Sequence, residues 1–288
     1  SSMHCFGGQV QKKVDEARPR VAALLGADPS EIIFTACGTE SDNAAIRSAI
    51  EVFPNRRHII TTRVEHPAVL TLCRNLTKHG YRVTELNVDG AGRLDLDELR
   101  KLVDEDTSIV SIMYANNETG VVFPIEEIGR IVKEKGALFH SDAVQAVGKI
   151  HLNMGSSTID MLSLSGHKLH APKGIGALYL RRGTPFRPFM VGGHQEKSRR
   201  AGTEATASII ALGKACELAG QHLDVENTRV KAMRDRLEHE LMAIIPAGRI
   251  NGGGAERLPN TVSIAFEFVE GEAILLHLSE KGICASSG

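Results

Sequence analysis

Met161-Leu162-Ser163-Leu164-Ser165-Gly166-His167-Lys168-Leu169-His170-Ala171-Pro172-Lys173-Gly174 joins an apolar run to a polar, glycine-bounded turn. Residues 161–164 read as a buried strand that Gly166 brings to an end. Lys168 follows directly. Burial disfavours the charged form of an amine, so a lysine held there is expected to lose its proton readily and to attack a carbonyl carbon. Ser165, the Gly166 amide and His167 can donate hydrogen bonds to an anion, for which phosphate is the obvious candidate. Taken alone, the stretch also fits a strand-end lysine reaching solvent from a glycine-rich loop. The rest of the chain decides between the two.

Upstream, strands alternate with helices. Residues 137–141 form an apolar strand that Asp142 closes, one crossover segment and one strand before Lys168. A carboxylate at a buried strand end is costly unless a cationic or hydrogen-bonding partner meets it. Gln145, three residues on, falls on the same side of the following turn. Residues 108–115 make another apolar strand, ending in Asn116-Asn117-Glu118-Thr119-Gly120, a polar cluster where open α/β sheets place ligands. Residues 58–64 read as a strand, and His66-Pro67 ends it. Proline keeps His66 out of helical geometry and opens the next helix at its first position. A histidine there is commonly a cap or a solvent-facing residue.

Residues 31–35 form a strand, and Ala36-Cys37-Gly38-Thr39-Glu40-Ser41 leads into a helix over 42–50. Free amides at a helix start make an anion site, although many strand-to-helix turns carry glycine for backbone reasons alone. Strands at 81–88 and 175–182 and helices at 95–103 and from Pro124 complete the pattern. Such repeats predict a mostly parallel sheet with helices on both faces.

The flanking segments are helical. Val10, Val14, Ala17, Val21 and Leu24 mark one face of an amphipathic helix that Gly26 ends. Residues 205–220 form an alanine-rich buried helix. The helix over 225–245 is charged on one side, with Val230, Met233, Leu237, Leu241 and Ile244 on the other, and suits a bridge between two domains. A strand at 260–266 and a helix at 270–281 follow. The loop 192–203 is basic and glycine-rich, the composition of a mobile solvated loop.

Composition sets the outer limits. The 288 residues are 42% hydrophobic and 24% charged, as in ordinary globular proteins. A formal net charge of -1 argues against a surface for polyanions. No apolar run approaches the ~20 residues that cross a bilayer, and no signal peptide is visible at the start. The five cysteines (Cys5, Cys37, Cys73, Cys216, Cys284) are scattered, with no pairing that suggests a disulfide framework or a metal site. A reducing cytoplasm is the natural setting. A chain of this length divides into two domains or forms one large one.

Six motifs in order, FTACGTESDN (34–43), VEHPAV (64–69), ANNETG (115–120), HSDAVQAVGK (140–149), SGHKLHAPKG (165–174) and RRAGTE (199–204), resemble the cysteine desulfurases. The similarity is strongest to the NifS type and spans essentially the whole chain. It implies an α/β fold of the aspartate-aminotransferase type, fold type I of the enzymes that use pyridoxal phosphate (PLP). It implies a large PLP-binding domain, residues 1–225, and part of a smaller α+β domain, residues 226–288. The implied reaction removes sulfur from L-cysteine, giving L-alanine and an enzyme persulfide for iron–sulfur cluster assembly of the nitrogenase type.

The same resemblance implies roles. Lys168 binds the cofactor covalently and moves the proton at the substrate alpha carbon. Asp142 faces the protonated ring nitrogen, His66 stacks on the ring, and Gln145 bonds the ring hydroxyl. Gly38, Thr39, Ser165 and His167 hold the phosphate. Asn117 touches cofactor and substrate carboxylate. The residue matching Thr203 reaches the phosphate bound by the second subunit of a homodimer. An iron–sulfur scaffold protein would accept the sulfur.

In the family, the segment matching Cys284–Gly288 runs on into a loop whose cysteine takes the sulfur, followed by a carboxylate-binding arginine. Both are expected beyond Gly288, and a further family segment before Ser1, so a chain with these limits is expected to bind PLP without completing turnover. Cys284 does not match the nucleophile, and Cys37 reads as a packing atom. Another PLP reaction, such as a selenocysteine lyase or an aminotransferase, and a catalytically incomplete dimerising or partner-binding module are the alternatives.

Overall fold

The computed structural model describes residues 4–288; the start of the family match at residues 1–3 lies outside them. A seven-stranded sheet forms the centre. Its strands are β1 (Ile32–Thr35), β2 (His58–Thr62), β3 (Arg82–Leu86), β4 (Thr107–Ser111), β5 (Leu138–Asp142), β6 (Met161–Ser165) and β7 (Gly176–Leu180), in the order β1-β7-β6-β5-β4-β2-β3. Neighbours from β6 through β3 are parallel, while β7 runs antiparallel to both β6 and β1. The expected mostly parallel α/β sheet is therefore present, with one reversed strand. β1 points the same way as the parallel set, so the carboxyl ends of β1, β2, β4, β5 and β6 share one edge.

Side chains alternate across the strands with the two-residue period of pleated backbone. Ile33, Ile59, Ile109, Leu138, Met161 and Leu178 pack under α2 (Gly38–Val52) and α3 (Pro67–Thr77). Ile32, Phe34, Val110, Phe139, Leu162 and Tyr179 face the opposite layer, with α1 (Cys5–Leu25), α4 (Leu96–Leu102), α5 (Ile125–Glu134) and, after the single turn α6 (Gln195–Ser198), α7 (Thr206–Val225). Both faces are covered, so β1, β2, β4, β5, β6 and β7 are buried throughout. α1 and α7 approach closely at Gly213, where an added Cβ would meet Ala17 Cα at 2.7 Å.

Several boundaries differ from the sequence reading. α2 begins at Gly38 rather than residue 42, because Cys37 in extended geometry already stands at its N-cap. The two helices expected at 205–220 and 225–245 are one continuous rod: α7 passes through a π turn (Glu226–Val230) into α8 (Lys231–Ile244). On α8 the apolar side is not the buried one: Met233, Leu237 and Ile244 are exposed, and Arg234 and Glu238 are buried. Three hydrogen bonds draw the polar face inward. Arg257 forms a two-pronged pair with Glu238 at 2.5 and 2.7 Å, and Arg234 donates to the Leu258 carbonyl at 3.0 Å.

Beyond α8, β8 (Gly248–Ile250) and β9 (Ile264–Phe266) pair antiparallel, followed by α9 (Gly271–Glu280). β8 was not visible as an element in the sequence. Among the described residues, no helix is long and apolar enough to cross a membrane.

Candidate active site

Each strand of the shared edge delivers polar side chains into one cavity of about 230 Å³. β1 leads through Cys37 into Gly38 and Thr39. The loop after β2 supplies His66, that after β4 Met113, Ala115 and Asn117, that after β5 Asp142, Val144 and Gln145, and that after β6 Ser165, His167 and Lys168. Nine of the ten residues singled out in the sequence therefore surround one space. Thr203 does not: it lines a neighbouring depression with Thr35, Ala36 and Gly174.

The α2 N-terminus opens onto this cavity. No side chain caps that helix, so its first amides stay free to face a ligand. Gly38 is required by space: a Cβ there would sit 2.8 Å from Val144 Cγ2 and 3.4 Å from Ser165 Cβ. Ser165 Oγ lies 2.8 Å from His167 Nδ1. His167 is held below the ordinary histidine range, chiefly by burial and then by the charges of Lys168 and Lys173.

Lys168 stands in a 3-10 turn over Gly166–Leu169. It is exposed, which corrects the expectation of a lysine buried against the strand. The turn leaves the sheet at Ser165 and sets Lys168 at the border of the cavity. Gly166 is buried in its place, and an added Cβ would meet Ile175 Cγ2 at 2.7 Å.

His66 combines two of its readings. Its Nδ1 accepts from the Ala68 amide at 3.1 Å, capping α3. The cap fixes the ring where it borders the cavity. Asp142 is 7% exposed and accepts from the Val144 amide at 2.9 Å. Burial raises its carboxyl above the ordinary range, while that hydrogen bond, His66 and Lys168 act in the opposite sense. Asn116 folds the loop after β4: its carbonyl oxygen accepts from the amides of Glu118 and Thr119 at 3.0 and 2.9 Å. Neighbouring Asn117 then borders the cavity, its amide donating to Glu118.

Sequence reasoning passed over the inner layer. Asp42, on the second turn of α2, is 1% exposed and also borders the cavity. Glu65 is 5% exposed, accepts from Thr62 Oγ1 at 2.7 Å and the Met113 amide at 2.9 Å, and is pushed by burial to about 8. His140 is fully buried between Ser111 Oγ (2.8 Å) and Ser163 Oγ (2.9 Å), and burial holds it down at about 3. The signals were spacing: Asp42 is one helical turn beyond Gly38, and His140 precedes Asp142 by one strand period. Cys37, read as a packing atom, is half-buried and borders the cavity, and Cys284 is exposed.

The family model for aminotransferase class-V matches residues 1–288. A cysteine desulfurase of Trichormus azollae is 63% identical over 288 residues, covering all of this chain and 72% of that protein. The cysteine desulfurase NifS of Azotobacter vinelandii is 57% identical, again over the whole chain and 72% of its own length. A solved NifS-like protein superposes with a TM-score of 0.95 at 41% identity, covering 100% of this chain and 79% of that one. With that fold and this cavity, the chain belongs to the aminotransferase class-V family, as a cysteine desulfurase dependent on pyridoxal phosphate.

Proposed function

We propose that the cavity at the shared strand edge is where this desulfurase holds PLP and L-cysteine, and that its residues act as follows. The observation that carries the reading is the convergence of Lys168, Asp142, His66 and the uncapped α2 N-terminus on one cavity. The donor set fits the cofactor. Free amides at Gly38 and Thr39, with Ser165 and His167, suit a phosphate. Asp142, a buried carboxyl without a basic hydrogen-bond partner, suits a protonated ring nitrogen.

When bound, PLP supplies an electron sink for charge that develops at the substrate alpha carbon. Lys168 would provide the amine that holds the cofactor, and the same amine would take and return the proton at that carbon. Its exposed position lets the amine serve both tasks. Asp142 keeps the ring nitrogen protonated, and Gln145 bonds the ring hydroxyl. His66, fixed by its cap, covers the ring. Asn117 orients the substrate carboxylate. Thr203, outside the cavity, is read as reaching the phosphate of a second subunit in a homodimer, consistent with its separate depression.

Transfer of the sulfur to an iron–sulfur scaffold protein, in nitrogenase-type assembly and in the cytoplasm, fits the NifS likeness. So does a division into a large domain, residues 1–225, and part of a small one, residues 226–288. None of the relatives described favours a selenocysteine lyase, an aminotransferase or a non-catalytic module.

Borohydride reduction of the PLP-loaded protein, followed by peptide mass analysis, tests the assignment. The label is expected on the peptide carrying Lys168. A label on another lysine, such as Lys149 or Lys173, refutes it.

A further inference from the structure

Beside Asp142 the cavity wall holds a second buried carboxyl, that of Asp42. Asp42 is 1% exposed, and its Oδ1 accepts no hydrogen bond. His140 Nε2 lies 3.5 Å away and is itself 2.9 Å from Ser163 Oγ. The groups that face Asp42 come from four elements. They are Asp142 and His140 from β5, Ser163 from β6, Glu65 from the loop after β2, and Cys37 from the turn before α2. None is a lysine or an arginine.

Two adjacent carboxylates cannot both stay ionised in a dry pocket without a cation between them. His140 does not supply that cation, because burial keeps its ring neutral. Asp142 is the carboxyl on which His66 and Lys168 act favourably. Asp42 is pushed well up, first by burial and then by Asp142. The negative charge therefore settles on Asp142 and the proton on Asp42.

We infer that Asp42 is a positioning residue: with His140 and Ser163 it forms a net-neutral hydrogen-bonded unit, its proton retained, so that Asp142 is the ionised carboxylate of the cavity floor. The inference rests on the proposed pairing of Asp142 with the PLP ring nitrogen. Asp42 does not touch the ring in this account. It acts by leaving Asp142 the charge and by bracing the His140 ring two residues before it. Glu65, with Oε1 taken by Thr62 and Met113, is pushed by burial to about 8 and stays mostly protonated at neutral pH.

The test uses the PLP-loaded protein and the variants Asp42→Ala and Asp42→Asn, read by PLP dissociation constant, by the pH midpoint of the visible band and by infrared difference spectra. Asp42→Ala is expected to weaken PLP binding about tenfold by removing a buried hydrogen-bonding group. Asp42→Asn, neutral and able to bond the same neighbours, is expected to recover to within about threefold, with a midpoint within about 0.3 of the parent value. The parent protein is expected to show a protonated-carboxyl stretch at neutral pH that Asp42→Asn lacks. A midpoint moved by about one pH unit or more in Asp42→Asn means a charged Asp42 and overturns the inference. So does an infrared band unchanged by that substitution, or binding as weak in Asp42→Asn as in Asp42→Ala. Asp142→Asn is the control for the reading beneath: an unaltered visible band there sinks the Asp142 assignment and leaves the infrared result on Asp42 standing.

Discussion

Replacing Glu65 with glutamine should change how stability depends on pH. The carboxyl is buried at 5% exposure and ionises near 8 in the folded chain instead of near its ordinary 4.5. The folded protein then holds this proton more tightly than the unfolded chain does. The stability it contributes is fully present below about pH 4.5 and drains away as pH rises toward 8. Each pH unit in that window costs about 1.4 kcal/mol, or about 5 kcal/mol across the whole of it. Glu65→Gln keeps an oxygen for the Thr62 hydroxyl and the Met113 amide, and it cannot ionise. Urea unfolding of the cofactor-free protein, followed at several pH values from 5 to 8, is the assay. The parent should lose stability with rising pH more steeply than the variant, by about one proton's worth of slope. Parallel profiles would show that Glu65 titrates like an ordinary carboxyl, and the account of a dry, cation-free inner wall would fall with it.

Three further outcomes follow from geometry already described. Gly38→Ala pushes a methyl group to 2.8 Å from Val144 Cγ2, so PLP affinity measured by equilibrium dialysis should drop about tenfold while the fold persists. Gly176→Ala meets backbone that cannot yield, Leu164 O at 2.7 Å and the Cys37 carbonyl carbon at 2.8 Å, and should cost about 1–3 kcal/mol in chemical denaturation. Arg18 holds Glu196 with two bonds of 2.8 and 2.7 Å, and Glu196 also accepts from the Phe34 amide at 3.1 Å. Arg18→Met removes the cation bonded to that buried acid, leaving only the more distant Arg199 and Arg200, and should cost about 3 kcal/mol; a Tm equal to the parent's would contradict this.

The sheet was legible because its strands are short apolar runs ended by polar or glycine-containing turns, and the motif order ties those turns to one edge. Nine of the expected residues sit around one cavity for that reason. What escaped the sequence was hidden by its own chemistry. Ser111, His140 and Ser163 look like interruptions in apolar strands, yet they bond one another across β4, β5 and β6. Lys168 reads as buried beside a strand, but a 3-10 turn lifts it clear. The inward face of α8 could not be read from helical spacing alone, because ion pairing at Arg257–Glu238 turns a polar side inward.

The reversed strand β7 has a consequence for how the site comes into being. β1 joins the sheet only through β7, with Ile32 opposite Tyr179. A ribosome must therefore extend the chain past Tyr179 before β1 can dock and the start of α2 can be fixed. Gly176 and Cys37 come close across that junction, so the start of α2, the proposed phosphate seat, is among the last features to settle. A nascent chain halted before β7 would carry every strand from β2 to β6 and leave β1, with the turn into α2, undocked.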